Sequence, residues 1–331
     1  MVDVTRPISI ALPPELTAEA LLDTWAALAD QVMPTLLLHS QALDEAVGAQ
    51  VTLACEVFQR TGSFKFRGAS NLIRNVTADR IISASSGNFG QAVALASRLV
   101  GKTCTVVMPK TSSRVKVDAV RRNGATVDLV DTQKISRMER VRQHMAKDAA
   151  LFFAPPYDHP LVVAGNSTLG REIFESGEEL DAVVVPLGGG GLISGVVVAR
   201  DALGQITSII GAEPLIANDA ARSMQLGTIV ANEVEPQTIA DGARTLSLGE
   251  VTWPIVRGGV EGIVEVPEDA IAEAVRLLFR YANVKAEPTG ALAVAAVMTE
   301  PDRFSGKRVC CVVSGGNVDD EIYAAILRRE L

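Results

Sequence analysis

The stretch Gln59-Arg60-Thr61-Gly62-Ser63-Phe64-Lys65-Phe66-Arg67-Gly68 places one lysine between two phenylalanines, behind a glycine turn. A lysine that stays charged gains nothing from that apolar wrapping. A lysine that must lose its proton does, because burial disfavours the ammonium form, and a neutral amine attacks carbonyl groups. The competing reading is a lysine that snorkels outward from a helix start. Other stretches carry residue types suited to chemistry. Ser85-Ser86-Gly87-Asn88-Phe89-Gly90 would offer hydroxyls and backbone N–H groups to an anion such as a carboxylate, or is only a helix cap with glycine punctuation. Gly188-Gly189-Gly190-Gly191 costs backbone entropy and brings no packing, which close approach of amides to a phosphate at a helix N-terminus would offset. The loop has neither the Lys-Ser/Thr ending of a nucleoside-triphosphate loop nor a dinucleotide fingerprint, so a phosphate-bearing cofactor without a nucleotide fits better. Ser314-Gly315-Gly316-Asn317 presents a hydroxyl at a strand end, and Glu287 precedes a helix as a cap would. Glu213 and Asp219 flank an apolar turn and, with backbone carbonyls and water, could hold a hard cation.

The elements that position these groups follow from periodicity. A helix runs from about Thr17 to Leu28, a short extended segment covers 35–38, and a strand covers 51–57. Ser63 is expected to cap a helix that buries Phe66, Ala69, Leu72 and Ile73. Strands at 80–84, 103–108, 125–130 and 151–154 then alternate with helices at 88–99, 115–122 and 137–148. The pattern resumes with helices at 162–175 and 192–203 and strands at 182–187 and 206–212. The chain closes through helices at 268–281 and 289–298, a strand at 308–313 and a last helix. This β-α-β alternation with short connections predicts open parallel sheets covered by helices. In such sheets, ligands bind beyond the carboxyl ends of the strands, where the turns above fall. Two intertwined lobes are expected: a large one from 1–78 and 157–331, and a small one from 79–156.

Bulk properties narrow the classes. The chain has 331 residues, 48% of them hydrophobic and 21% charged, enough for more than one core. A net charge of −8 argues against nucleic-acid or anionic-membrane partners. No apolar run is long enough to span a bilayer, and the N-terminus lacks the basic-then-apolar order of a signal peptide. Cys55, Cys104, Cys310 and Cys311 fall in strand-like stretches without metal-ligand spacing, as buried thiols of a reducing cytoplasmic compartment would. With only three histidines, chemistry that needs several imidazoles is excluded.

Taken together, six stretches in order resemble the serine/threonine dehydratase and serine racemase group of pyridoxal-phosphate enzymes, which has the tryptophan-synthase-β-like α/β fold. They are 61–68, Ser85-Ser86-Gly87-Asn88, Gly188–Gly191, Thr238-Ile239-Ala240-Asp241-Gly242, Glu287-Pro288-Thr289 and Ser314-Gly315-Gly316-Asn317. The resemblance runs over nearly the whole chain after about residue 30. It implies that Lys65 forms the Schiff base with pyridoxal 5'-phosphate and later acts as the base at the substrate Cα. It further implies that Phe64 packs on the pyridine ring, Asn88 bonds the ring hydroxyl, Gly188 to Gly191 hold the phosphate and Ser314 faces the ring nitrogen. Ser85, Ser86, Gly87 and Asn88 would receive the substrate carboxylate. Glu213, the carbonyl of Ala217 and Asp219 match a divalent-cation site, with Mg2+ as the expected occupant. The implied reaction is dehydration of a β-hydroxy amino acid of the threonine/serine type to a 2-keto acid and ammonia, in a homodimer. Alternatives are a serine or hydroxyaspartate racemase that pairs Lys65 with Ser86, and a dehydratase of 3-hydroxyaspartate or of an amino acid from hydroxyectoine breakdown. Three departures fall where the cleft is expected. Phe89 stands in place of histidine, Asn166-Ser167 in place of Gln-Gly, and an asparagine or phenylalanine is replaced within Pro155-Pro156-Tyr157.

Overall fold

Alternating apolar runs and amphipathic segments fold into two sheets. The structure is a computed structural model that describes residues 12–85 and 87–331. Its strands are β1 (Leu36–His39), β2 (Gln50–Cys55), β3 (Arg80–Ala84), β4 (Thr103–Pro109), β5 (Thr126–Val130), β6 (Leu151–Phe153), β7 (Ala182–Pro186), β8 (Ser208–Pro214), β9 (Gly262–Val266) and β10 (Arg308–Val313). The larger sheet has the order β1-β2-β10-β7-β8-β9, and the smaller has β5-β4-β3-β6. Every pairing is parallel except β1 with β2, where Leu36 faces Cys55. β10 is the last strand in the chain, yet it lies in the interior of the larger sheet, with Arg308 opposite Gln50 on β2 and Val309 opposite Ala182 on β7. Helices cover both its faces, so its run Val309-Cys310-Cys311-Val312-Val313 is apolar without alternation and wholly buried.

One face of the larger sheet packs against helices Glu268–Ala282 and Pro288–Thr299. The other packs against helices Ala18–Leu28, Pro160–Phe174 and Gly191–Ala202. The smaller sheet is drawn wholly from residues 80–153, but its core also takes Phe66, Leu72 and Ile73 from helix Lys65–Asn75, with Leu28 from the first helix. Helix Lys65–Asn75 therefore packs into the smaller sheet's core and against helix Pro160–Phe174, which covers the larger sheet. Arg67 fixes it: its guanidinium is fully buried and pairs with Glu56 at 2.7 Å and Glu172 at 2.9 Å, with further hydrogen bonds to Thr35 and Thr168. Gly165 lets helix Pro160–Phe174 lie against it, since a Cβ there would come within 2.5 Å of the Arg67 carbonyl oxygen.

The structure corrects and extends the sequence reading. Ser63 does not cap its helix. The cap position is Phe64, which makes no side-chain cap bond, and the buried Ser63 hydroxyl has no partner. Helices Gln41–Val47, Asp219–Leu226 and Thr252–Gly259 lie in stretches that the periodicity did not resolve. All four cysteines are buried free thiols. Among the described residues, no helix is long and apolar enough to cross a membrane.

Candidate active site

Lys65 opens its helix just after the short turn Arg60–Gly62, in which Thr61 (φ 63°) and Gly62 (φ 74°) are both left-handed. The turn after β10 holds this bend in place. Phe64 N donates to the Ser314 carbonyl at 3.0 Å, and Gly316 N donates to the Gly62 carbonyl at 3.0 Å. Lys65 Nζ donates to the carbonyl of Pro156 at 3.2 Å and lies 4.9 Å from the centre of the Phe64 ring. The residue is partly exposed but its amine end is enclosed. That desolvation lowers its pKa to about 8, against the opposing pull of the Glu287 carboxylate.

Asn88 begins helix Asn88–Leu99, and its amide is held from two sides. Nδ2 donates to Glu287 at 2.7 Å, and Oδ1 accepts from Asn317 at 2.8 Å. Asn317 also donates to the Thr61 carbonyl at 2.6 Å, which closes a ring of contacts around Lys65. Glu287 makes no cap bond to its own helix; its carboxyl serves Asn88. Burial raises Glu287 to about 8 and Asp241 adds to the rise, while Asn88, Lys116 and Lys65 pull the other way. Gly315 leaves the space this needs, since a Cβ there would come within 2.6 Å of Glu287 Oε1. Lys116, from the helix between β4 and β5, pairs with Asp241 at 2.8 Å, and the Gly242 N–H donates to Thr289 Oγ1 at 2.9 Å.

The four glycines leave the end of β7 and enter helix Gly191–Ala202, with Gly190 at φ 90°. Thr252 Oγ1 donates to the Gly189 carbonyl at 2.8 Å, and Asn166 Nδ2 donates to the Gly191 carbonyl at 3.0 Å. The Tyr157 ring lies so close that a Cβ on Gly189 would meet it at 2.4 Å. Thr245 Oγ1 is buried without a partner, 3.5 Å from where a Cβ on Gly188 would stand. An unpaired hydroxyl beside a glycine loop at a helix N-terminus fits a phosphate.

The pair Glu213 and Asp219 lies at the end of β8 and the start of helix Asp219–Leu226, with the buried Ala217 in the turn between them. Glu213 accepts from Ala221 N at 2.7 Å and Ala220 N at 3.3 Å; Asp219 Oδ1 accepts from Asn232 at 2.9 Å, and its buried Oδ2 has no partner. Burial raises Glu213 to about 8 and Asp219 to about 6. Two desolvated carboxylates, one of them with an unpaired oxygen, suit a hard cation. Among the described residues, no three His, Cys, Asp or Glu side chains gather, so carbonyls and water would complete such a shell.

Lys65, Phe64, Asn88 and Ser314 are thus brought into one ring of contacts. Ser85 Oγ accepts from Gly87 N at 3.4 Å; Ser86 lies outside the described residues. Phe89 does not line the cleft, because it is buried in the core of the smaller sheet. Sequence reasoning missed the parts played by Asn317, Thr252 and Asp158, and it read Pro155-Pro156-Tyr157 only as a departure from the family, not as a cover on the glycine loop.

The family model described as "Pyridoxal-phosphate dependent enzyme" matches residues 28–315. The chain is 43% identical over 298 residues to an L-threo-3-hydroxyaspartate ammonia-lyase of Pseudomonas sp., covering 89% of this chain and 93% of that protein. It is 37% identical to a serine racemase of Schizosaccharomyces pombe, covering 89% and 92%. Its fold matches the crystal structure of a T.th. threonine deaminase with a TM-score of 0.85 and 40% identity, covering 90% of this chain and 97% of that one. With its enclosed lysine amine, its glycine loop and these likenesses, the chain belongs to the family of pyridoxal-phosphate dependent enzymes.

Proposed function

We propose that the protein is a dehydratase that converts a β-hydroxy amino acid to a 2-keto acid and ammonia, with 3-hydroxyaspartate as the favoured substrate. The observation that carries this reading is the enclosed Lys65 amine, whose pKa of about 8 leaves a working fraction neutral near pH 7. The likeness to an L-threo-3-hydroxyaspartate ammonia-lyase supports the choice of substrate. Lys65, Phe64, Asn88, Ser314 and Gly188–Gly191 would hold pyridoxal phosphate. When bound, that group supplies the electron sink that makes a substrate Cα–H bond acidic. Ser85, Gly87 and Asn88, with Ser86, orient the substrate carboxylate through hydroxyl and N–H donors.

Lys65 would take the Cα proton and return it to the departing β-hydroxyl, which leaves as water; the released enamine tautomerises to an imine that water hydrolyses to the keto acid and ammonia. Ser314, if its hydroxyl faces the ring nitrogen of the bound group, would suit elimination, because a hydroxyl is too weak an acid to protonate a pyridine. Glu213, Asp219 and the carbonyl of Ala217 would hold a divalent cation such as Mg2+. A homodimer in the cytoplasm completes the proposal. Serine racemisation, with Ser86 as a second acid, is the other reading that the Schizosaccharomyces pombe relative supports.

The test is keto acid release from L-threonine, L-serine, D-serine and the isomers of 3-hydroxyaspartate, with chiral analysis of the remaining substrate. Keto acid from 3-hydroxyaspartate with little inversion is expected, and Lys65→Ala should abolish it together with the absorbance of the bound cofactor. Inversion that outpaces keto acid would replace this reading with the racemase, and turnover retained by Lys65→Ala would overturn both.

A further inference from the structure

The segment Pro155–His159 joins the end of the smaller sheet to helix Pro160–Phe174, and consecutive residues in it touch three parts of the site. The Pro156 carbonyl accepts from the Lys65 amine at 3.2 Å. The Tyr157 ring lies over Gly189, a Cβ on Gly191 would meet the Tyr157 Cβ at 3.0 Å, and the Tyr157 hydroxyl donates to the Ser247 carbonyl at 3.3 Å. Asp158 then anchors the segment. Its Oδ1 accepts from Val251 N at 2.8 Å and its Oδ2 from Glu250 N at 3.0 Å, both just ahead of helix Thr252–Gly259.

That helix is itself tied to the phosphate-loop candidate, because Thr252 Oγ1 donates to the Gly189 carbonyl at 2.8 Å. The approach of Asp158 depends on Gly249, where a Cβ would lie 2.2 Å from the Asp158 Cγ. A carboxylate that accepts two backbone N–H bonds is a strong, directional anchor. Both oxygens of this one are engaged by those N–H groups, so it acts on the site only through the residues on either side of it.

We infer that Asp158 is a positioning residue: it fastens a strap that holds the Tyr157 ring on the glycine loop and keeps Pro156 beside Lys65, and so sets how tightly the cofactor is retained. The inference rests on the reading that Lys65 and Gly188–Gly191 hold pyridoxal phosphate. Freeing the anchor lets the strap lift, which takes the Tyr157 ring off the loop. Displacements of about 1 Å in such supporting contacts cost one to two orders of magnitude in site function.

The experiment measures release of pyridoxal phosphate from the holoenzyme into a trapping reagent, alongside the thermal midpoint, for Asp158→Ala, Asp158→Asn, Gly249→Ala and the double variant Asp158→Ala/Gly249→Ala. Asp158→Ala is expected to release cofactor at least about ten-fold faster. Asp158→Asn keeps one accepting oxygen and should fall between it and the wild type. Gly249→Ala pushes the same carboxylate away from the opposite side and should reproduce Asp158→Ala. With the carboxylate already gone, Gly249→Ala should add nothing, so the double variant matches the single. Release within two-fold of the wild type in Asp158→Ala and Gly249→Ala, whether or not the midpoint falls, overturns the inference. So does full additivity of the two substitutions. Should Asp158→Ala fail to fold, Asp158→Asn and Gly249→Ala decide the matter by the same measure. A wild-type holoenzyme without bound-cofactor absorbance would instead sink the underlying reading of Lys65 and the glycine loop.

Discussion

Replacing Lys65 by methionine should stabilise the protein when it is freed of cofactor. The amine's pKa falls from 10.5 to about 8 on folding because it is enclosed. At about 1.4 kcal/mol per pH unit, keeping that lysine costs the folded state about 3 kcal/mol near neutrality. Methionine has similar length and no charge to desolvate. It forfeits the hydrogen bond to the Pro156 carbonyl, worth about 1 kcal/mol. A net gain of about 2 kcal/mol remains, or about 3 °C in midpoint for a chain of this size. The pH dependence has a definite sign. The folded pKa is below the unfolded one, so the wild type carries the full cost below pH 8, sheds it between about 8 and 10.5, and carries none above. Urea unfolding of both proteins at pH 7 and across that window is the assay. A variant no more stable than wild type at pH 7, or a gap that stays constant from pH 8 to 10.5, would refute the claim that desolvation tunes this amine.

Other outcomes follow from the same geometry. Gly189→Ala puts a Cβ 2.4 Å from the Tyr157 ring and should weaken equilibrium cofactor binding by about ten-fold or more, read from the absorbance of bound cofactor. Arg67→Met leaves Glu56 buried and unpaired and should cost about 3–5 kcal/mol in denaturant unfolding, whereas a loss below about 1 kcal/mol would mean the cluster is solvated. Added Mg2+ should raise the wild-type thermal midpoint at pH 7 and leave Glu213→Gln/Asp219→Asn unmoved; equal shifts in both would place the cation elsewhere.

Much of the strand–helix order was legible, because buried parallel strands are continuous apolar runs and the helices between them keep a 3.6-residue stripe. Lys65 was legible for a local reason: its own neighbours in sequence wrap it. Helix Thr252–Gly259 was not, since Pro254 and the Gly258-Gly259 pair obscure its periodicity. Ser63 looked like a cap, yet the chain enters that helix through Phe64, and the Ser314 carbonyl takes the Phe64 N–H. Phe89 looked like a cleft residue from its place beside Asn88, but the helix turns it into the core. The roles of Asp158 and Asn317 were hidden because their partners lie 92 and 93, or 229 and 256, residues away. Spacing along the chain holds no information about such pairs.

The position of β10 has a consequence for biosynthesis. The strand emerges last from the ribosome, but it fills the slot between β2 and β7, and the turn behind it supplies the Ser314 carbonyl and Asn317 that hold the bend at Lys65. Chains are made at about 5–20 residues per second, so for about 6–25 seconds a nascent chain has its lysine and glycines but no assembled pocket. During that interval β2 and β7 each have an unpaired edge, the kind of exposed strand that recruits other chains. Loading with cofactor therefore waits for β10, and truncations that remove β10 should aggregate rather than persist as partly active fragments.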